Sequence, residues 1–309
     1  MRSKFLFGLV ILITFAVNSA AQKSALQTRT ITVISEPNAI VWLDDVKRGT
    51  TDANGKLIIK AIPAGKHILR VRADGFKEVL QNLLPSQSGD VKITLAKTTD
   101  EAELAFQEAE RLTASDRQKA VEAYRKAIRL RPKFPEAQLA LARVLLDAAD
   151  LDGAIKAVKA AQRLRPGYAE ASAVEARIYV AEGNEVKAIA AFKRAIAEGK
   201  GFQPEAYTGL GLLYKEKAEE FAGEGDYENE KANYALATQH LKKAVSQLAG
   251  APDAITIYQL LGLAYERMKN YKDAIALYEE FLQVFPDSSE ASAVQSFIVQ
   301  IKKQMKGEQ

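Results

Sequence analysis

The sequence predicts a multidomain chain, a small antiparallel β-sandwich followed by an all-α repeat superhelix. Three observations predict it. Between residues 30 and 95, apolar and polar residues alternate with period two, in short runs separated by turn residues. From about residue 100 the period becomes that of amphipathic helices. Within that second region Ala120, Ala154 and Ala188 recur at an interval of 34 residues, the mark of a stacked helical unit. The composition accommodates both parts. The chain has 309 residues, 48% hydrophobic and 27% charged, which is enough for a sizeable core in each of two domains. It has no cysteine, which excludes disulfides, cysteine-ligated zinc, thiol catalysis and anchoring through an N-terminal cysteine.

The first 21 residues read as a secretory signal peptide. Arg2 and Lys4 precede the unbroken apolar run FLFGLVILITFAV, and Ser19, Ala20 and Ala21 offer a small-residue cleavage site. The apolar run is shorter than the ~20 residues of a spanning helix, and no later stretch suits one. The expected location is therefore outside the cytoplasm, either periplasmic or at the cell surface. Charge is unevenly placed. Residues 22–97 hold 12 Lys/Arg against 7 Asp/Glu, and residues 98–309 hold 29 against 32. So mild an excess on an exported chain argues against nucleic acid.

In the first domain Ile31 and Val33 alternate with threonines, and Val41 and Leu43 with Ile40 and Trp42. Leu69 and Val71 alternate with Arg70 and Arg72, and Val91, Ile93 and Leu95 close the series. Turn signals lie between the runs, among them Asp44-Asp45, Asn54-Gly55 and Asp74-Gly75. The arrangement SEPNAIVWLDD, RGTTDANGKL and IPAGKHILRVRADGF resembles a PEGA domain over about residues 29–97. That resemblance implies a small β-sandwich of bacterial envelope proteins. The name motif is reduced here to Pro37-Asn38-Ala39.

In the second domain each repeating alanine is followed by a bulky residue four later (Tyr124, Val158, Phe192) and an alanine three beyond that (Ala127, Ala161, Ala195). Pro132 and Pro166 end the first two units. Tyr207, Leu210-Gly211 and Tyr214 reappear as Tyr258, Leu261-Gly262 and Tyr265. These spacings resemble the tetratricopeptide repeat, a two-helix unit. Five units are expected, at about 101–134, 135–168, 169–203, 204–254 and 255–286, with a capping helix and tail over 287–309. Gly262 is expected to face Ala274 and let two helices close up. Asp287 and Glu290 read as a capping box. Unit four carries about 15 extra residues around GEGDYENE, which read as a solvated acidic loop projecting from the edge, in preference to a calcium site. The short linker at residues 98–100 lets the sandwich sit against the first repeat and cap it.

Chemistry is scarce. His67 and His240 lack partners at metal spacing, and no phosphate-cradling glycine loop is present. No catalytic residue, cofactor or metal is predicted. What remains is binding. The resemblance implies a concave groove lined by the first helices, where a protein partner would contact Leu139, Arg143, Arg177, Leu212, Lys215, Gln259, Leu263 and Arg267. Arg143 and Arg177 occupy equivalent sites and should point the same way, toward acidic partner groups, unless they are ordinary exposed helix arginines. Trp42, with Arg70 and Arg72, marks the polar face of the sandwich. That face either packs on the repeats or forms a platform for an envelope glycan. The two functional readings are an interaction scaffold of the cell envelope and a cell-surface or cell-wall attachment protein.

Overall fold

The computed structural model describes residues 28–307, so the expected signal peptide lies outside the described residues. Among the described residues seven strands come first: β1 (Thr28–Ile34), β2 (Ile40–Leu43), β3 (Val46–Thr50), β4 (Lys56–Pro63), β5 (His67–Arg72), β6 (Val79–Leu83) and β7 (Gly89–Lys92). They form two sheets, ordered β4-β1-β7 and β3-β2-β5-β6. The period-two pattern does what it predicted. Ile31, Val33, Ile59 and Val91 from one sheet meet Val41, Leu43, Leu69 and Val71 from the other in one buried core. One pairing runs parallel, β1 with β7, because β7 returns from the second sheet to the free edge of β1. The β2–β3 hairpin turns on Asp44 and Asp45, both at positive φ (50° and 62°), as a two-residue hairpin loop requires.

Eleven helices follow among the described residues. They are α1 (Glu101–Leu112), α2 (Arg117–Leu130), α3 (Pro135–Asp147), α4 (Leu151–Leu164), α5 (Ala169–Ala181), α6 (Glu185–Glu198), α7 (Pro204–Glu224), α8 (Tyr227–Leu248), α9 (Ala254–Arg267), α10 (Tyr271–Val284) and α11 (Ala291–Gly307). The first ten pair in sequence and build a repeat superhelix. Asp116, Asp150, Asn184 and Asp226 each cap the second helix of a pair, accepting from the amides of Lys119 (3.1 Å), Gly153 (2.9 Å), Lys187 (3.2 Å) and Asn229 (3.1 Å). The repeating alanines, Ala120, Ala154, Ala188, Ala237 and Ala274, are fully buried between the helices of each pair.

Three details differ from expectation. Gly262 faces the ring of Tyr278, where a Cβ would lie 2.3–2.5 Å from the ring and its hydroxyl; Gly211 likewise faces Leu241. The close approach is therefore made to the bulky residue one turn after the alanine. In unit four the acidic stretch is mostly helical. Gly225, at φ 76°, ends α7, Asp226 caps α8, and Glu228 and Glu230 lie in the first turn of α8, where the helix dipole favours them. The extra length thus extends both helices. At the far end Ser288, not Asp287, holds the Glu290 amide (3.1 Å), while Asp287 approaches Lys60 of the sandwich at 3.7 Å.

That last contact belongs to a larger arrangement. The sandwich touches both ends of the superhelix. At the front, the Gln107 amide of α1 accepts from Gly75 N (2.8 Å) and donates to Phe76 O (2.9 Å), and Arg72 pairs with Glu110 at 2.5 Å. At the back, Arg48 donates to the carbonyls of Leu248 (2.8 Å) and Ala249 (2.6 Å), and Val46 joins the core of α8, α9 and α10.

Candidate interaction cleft

Because the sandwich bridges the ends, the inner face of the superhelix is roofed. The β2–β3 hairpin reaches it and lines two adjoining cavities of about 1040 and 1220 Å³. Trp42, Asp44, Asp45, Arg143, Glu170 and Phe202 line both. The first helices of the pairs supply the floor: Leu139 and Arg143 from α3, Arg177 and Val180 from α5, Leu212 from α7 and Ile257 from α9.

The two sets of predicted residues therefore meet across one cleft. Leu139, Arg143, Arg177 and Leu212 line it from the repeats, and Trp42, Arg70 and Arg72 line it from the sandwich. Trp42 sits with the Arg70 guanidinium 4.1 Å and the Arg72 guanidinium 5.1 Å from its ring. Arg72 is buried by its contacts with α1, so this face of the sandwich packs toward the repeats, the first of the two arrangements expected for it. Lys215, Gln259, Leu263 and Arg267 line neither cavity. Lys215 pairs with Glu219 on its own helix at 2.7 Å, and Gln259, Leu263 and Arg267 are exposed beyond the reach of the hairpin.

Arg143 and Arg177 do point the same way, and they converge on the chain's own Glu205. Arg143 grips it with two bonds (2.7 and 2.6 Å), and Arg177 reaches it at 3.3 Å and Asp147 at 3.6 Å. Burial pushes the Glu205 carboxyl up, but the Arg143 and Arg177 charges outweigh it and hold the group below its ordinary value. The arginines' charge is met within the chain.

Sequence reasoning missed Glu205, although a signal was present. An acid opens the first helix of unit after unit, at Glu136, Glu170 and Glu205, and Asp253 directly precedes α9. Glu136 pairs with Arg165, and Glu205 with Arg143 and Arg177. Near the 1040 Å³ cavity the acids Asp44, Asp45, Glu170, Glu205, Glu216 and Asp253 face only Lys47, Arg143 and Arg177. Asp44 is occupied within the sandwich by His67 and the Ile68 amide (2.8 Å), and Asp45 by Arg70 at 3.4 Å. The cleft is an apolar-floored space with a net negative rim.

Among the described residues no group of acids and histidines is placed to hold a metal ion. His240 stacks on Tyr214 with centroids 5.6 Å apart, and burial, with the Lys193 charge, pulls its imidazole down.

Comparison with known proteins supports the repeat architecture. Models of the tetratricopeptide repeat match residues 111–178 and 255–288. The chain carries tetratricopeptide repeats. That repeat is a protein-interaction fold and not an enzymatic one. Among solved structures, yeast Tom70 is similar with a TM-score of 0.52 and 17% identity, over 67% of this chain and 41% of that one. A thermophilic tetratricopeptide protein of Thermus thermophilus has a TM-score of 0.45 and 20% identity, over 65% and 98%. MamA has 0.42 and 24%, over 62% and 96%. At these identities the likeness concerns the fold alone. No curated protein matches the chain. Among the described residues no helix is long and apolar enough to cross a membrane.

Proposed function

We propose that this tetratricopeptide-repeat protein is a non-catalytic interaction scaffold of the bacterial cell envelope, holding a protein segment in the cleft between its repeats and its β-sandwich. The observation that carries this reading is the cleft itself. It combines exposed apolar residues on the inner face, Val180, Phe202 and Leu212, with a charged rim, which suits an extended or helical segment of another protein. The signal-like residues 1–21 support an exported location, and the PEGA-like pattern of the sandwich fits an envelope protein. The glycan-attachment reading has less behind it, because Trp42, Arg70 and Arg72 look into the cleft and not outward.

The test is photo-crosslinking in the cell of origin, with a benzophenone amino acid replacing Leu212 in the full chain and, as control, the exposed Glu228 in the first turn of α8. A discrete protein adduct from position 212 that is absent from position 228 is the expected result. No adduct, or the same adducts from both positions, overturns the reading.

A further inference from the structure

The corners joining successive repeats carry a recurring device. After α2, the guanidinium of Arg131 lies 4.3 Å from the ring of Phe134 and pairs with Asp100. After α4, 34 residues on, Arg165 lies 4.4 Å from the ring of Tyr168 and pairs with Glu136. Each is an arginine clamped between an aromatic face and a carboxylate. After α6 the aromatic and the acid are both kept, as Phe202 and Glu170, but the arginine position is Gly199.

There is a local reason for the glycine. A Cβ on residue 199 would lie 2.4 Å from the Phe202 carbonyl oxygen, so this tighter corner has no room for a side chain. The consequence reaches the cleft. Phe202 is left 40% exposed, whereas Phe134 is buried. Glu170 forms no ion pair among the described residues, and it sits with Phe202 on the wall shared by both cavities. Burial pushes its carboxyl up and the Asp45 charge adds to this, outweighing a backbone hydrogen bond and the more distant Arg143 and Arg165 charges that draw it down. At the next corner a guanidinium does arrive from elsewhere in the chain, Arg48 of the sandwich, but it meets the Leu248 and Ala249 carbonyls and not a ring and an acid.

We infer that Glu170 and the face of Phe202 form a slot for an arginine side chain supplied by a basic segment of the partner. The inference deepens the scaffold reading and rests on it, by assigning the occupant of the cleft a chemistry. Charge complementarity argues for it. The rim is acidic in excess, and Arg143 and Arg177, the cations that would favour an acidic partner, are already taken by Glu205. Arginine suits the slot better than lysine, since a planar guanidinium both stacks on a ring and meets a carboxylate edge.

The test uses a fluorescein-labelled hexa-arginine peptide and the full chain after signal removal, read by fluorescence anisotropy at low salt, with hexa-lysine as comparator. Saturable binding of hexa-arginine, several-fold tighter than hexa-lysine, is expected. Glu170→Gln and Phe202→Ala should each weaken it about tenfold, while Glu228→Gln, in the first turn of α8 and outside both cavities, should not. Glu170→Gln keeps an acceptor in the first turn of α5, and circular dichroism checks that the variants are folded. Absence of saturable binding by the unaltered chain, or equal affinity in Glu170→Gln, overturns the inference. So does an equal loss in Glu228→Gln, which would mark unspecific charge attraction. A crosslinked partner at position 212 whose capture is untouched by Glu170→Gln would remove the arginine slot and leave the scaffold reading standing.

Discussion

Gly262 shows how a single residue can be costly to its helix and still be required. A helical glycine costs about 0.5–1 kcal/mol against alanine. Here the missing side chain leaves space for the ring of Tyr278, which is buried and donates to Glu266 at 2.7 Å. That bond anchors the ring, so it cannot swing aside for a methyl group. Gly262→Ala should therefore destabilise the protein by about 1–3 kcal/mol through overpacking. Gly223, exposed near the end of α7 with nothing within 4 Å of where a Cβ would lie, is the control. Gly223→Ala should be neutral or stabilising by about 0.5 kcal/mol on propensity alone. Chemical denaturation of the two variants decides the matter, and a Gly262→Ala variant as stable as the parent would refute the packing argument. The need for a small residue at 262 is legible in the repeat. Which side chain fills the space is not, because that depends on how far one helix slides along the other.

Helices and their pairing follow from the sequence, since alanine spacing, capping residues and periodicity agree at every level. The polar interior of the stack is less legible. Glu175 of α5 is nearly inaccessible, yet it accepts from Lys159 (2.5 Å), Gln162 (2.7 Å) and Tyr179 (3.0 Å) and pairs with Arg194. It ties α4, α5 and α6 together. In the sequence it is one acid among many on helices, and only the convergence of two neighbouring helices makes it special. Burial pushes its carboxyl up, but the bonds from Lys159 and Gln162 and the Arg194 charge outweigh this and hold it below its ordinary 4.5. A carboxyl depressed on folding adds stability that is complete above the unfolded value and is lost as pH falls through the folded one. The unfolding free energy should thus decline as pH drops below 4.5, and Glu175→Gln should flatten part of that decline. At neutral pH the same variant should cost roughly 1–3 kcal/mol, by removing a charge its partners were placed to meet. Urea titrations across about pH 3–7 measure both effects; an identical pH profile in parent and variant would show that Glu175 is not linked to acid stability.

At the scale of the whole molecule, the sandwich is a strut across an open superhelix as well as a front cap. A tetratricopeptide stack contacts only its neighbours along the chain, so its two ends are not otherwise held. The sequence, read domain by domain, contains no statement of this closure. Arg48 and Val46 look like ordinary strand residues, and their partners at Leu248, Ala249 and Ile257 are about 200 positions away in the chain. The decisive contact is Arg48. Its guanidinium meets the carbonyls that end α8, where the helix dipole favours a cation. Burial lowers its pKa to about 10, so it stays charged at neutral pH. Arg48→Ala should remove two charge-assisted bonds and cost about 1.5–3 kcal/mol. The loss should fall on the closure and not on either core, since both bonds of the Arg48 guanidinium run from the sandwich to the end of α8. Small-angle scattering should show a larger radius of gyration for Arg48→Ala and for the pair Arg48→Ala with Gln107→Ala, while circular dichroism stays unchanged. If both variants scatter like the parent, the strut is held by apolar contact through Val46, and Val46→Asp becomes the change that should open it.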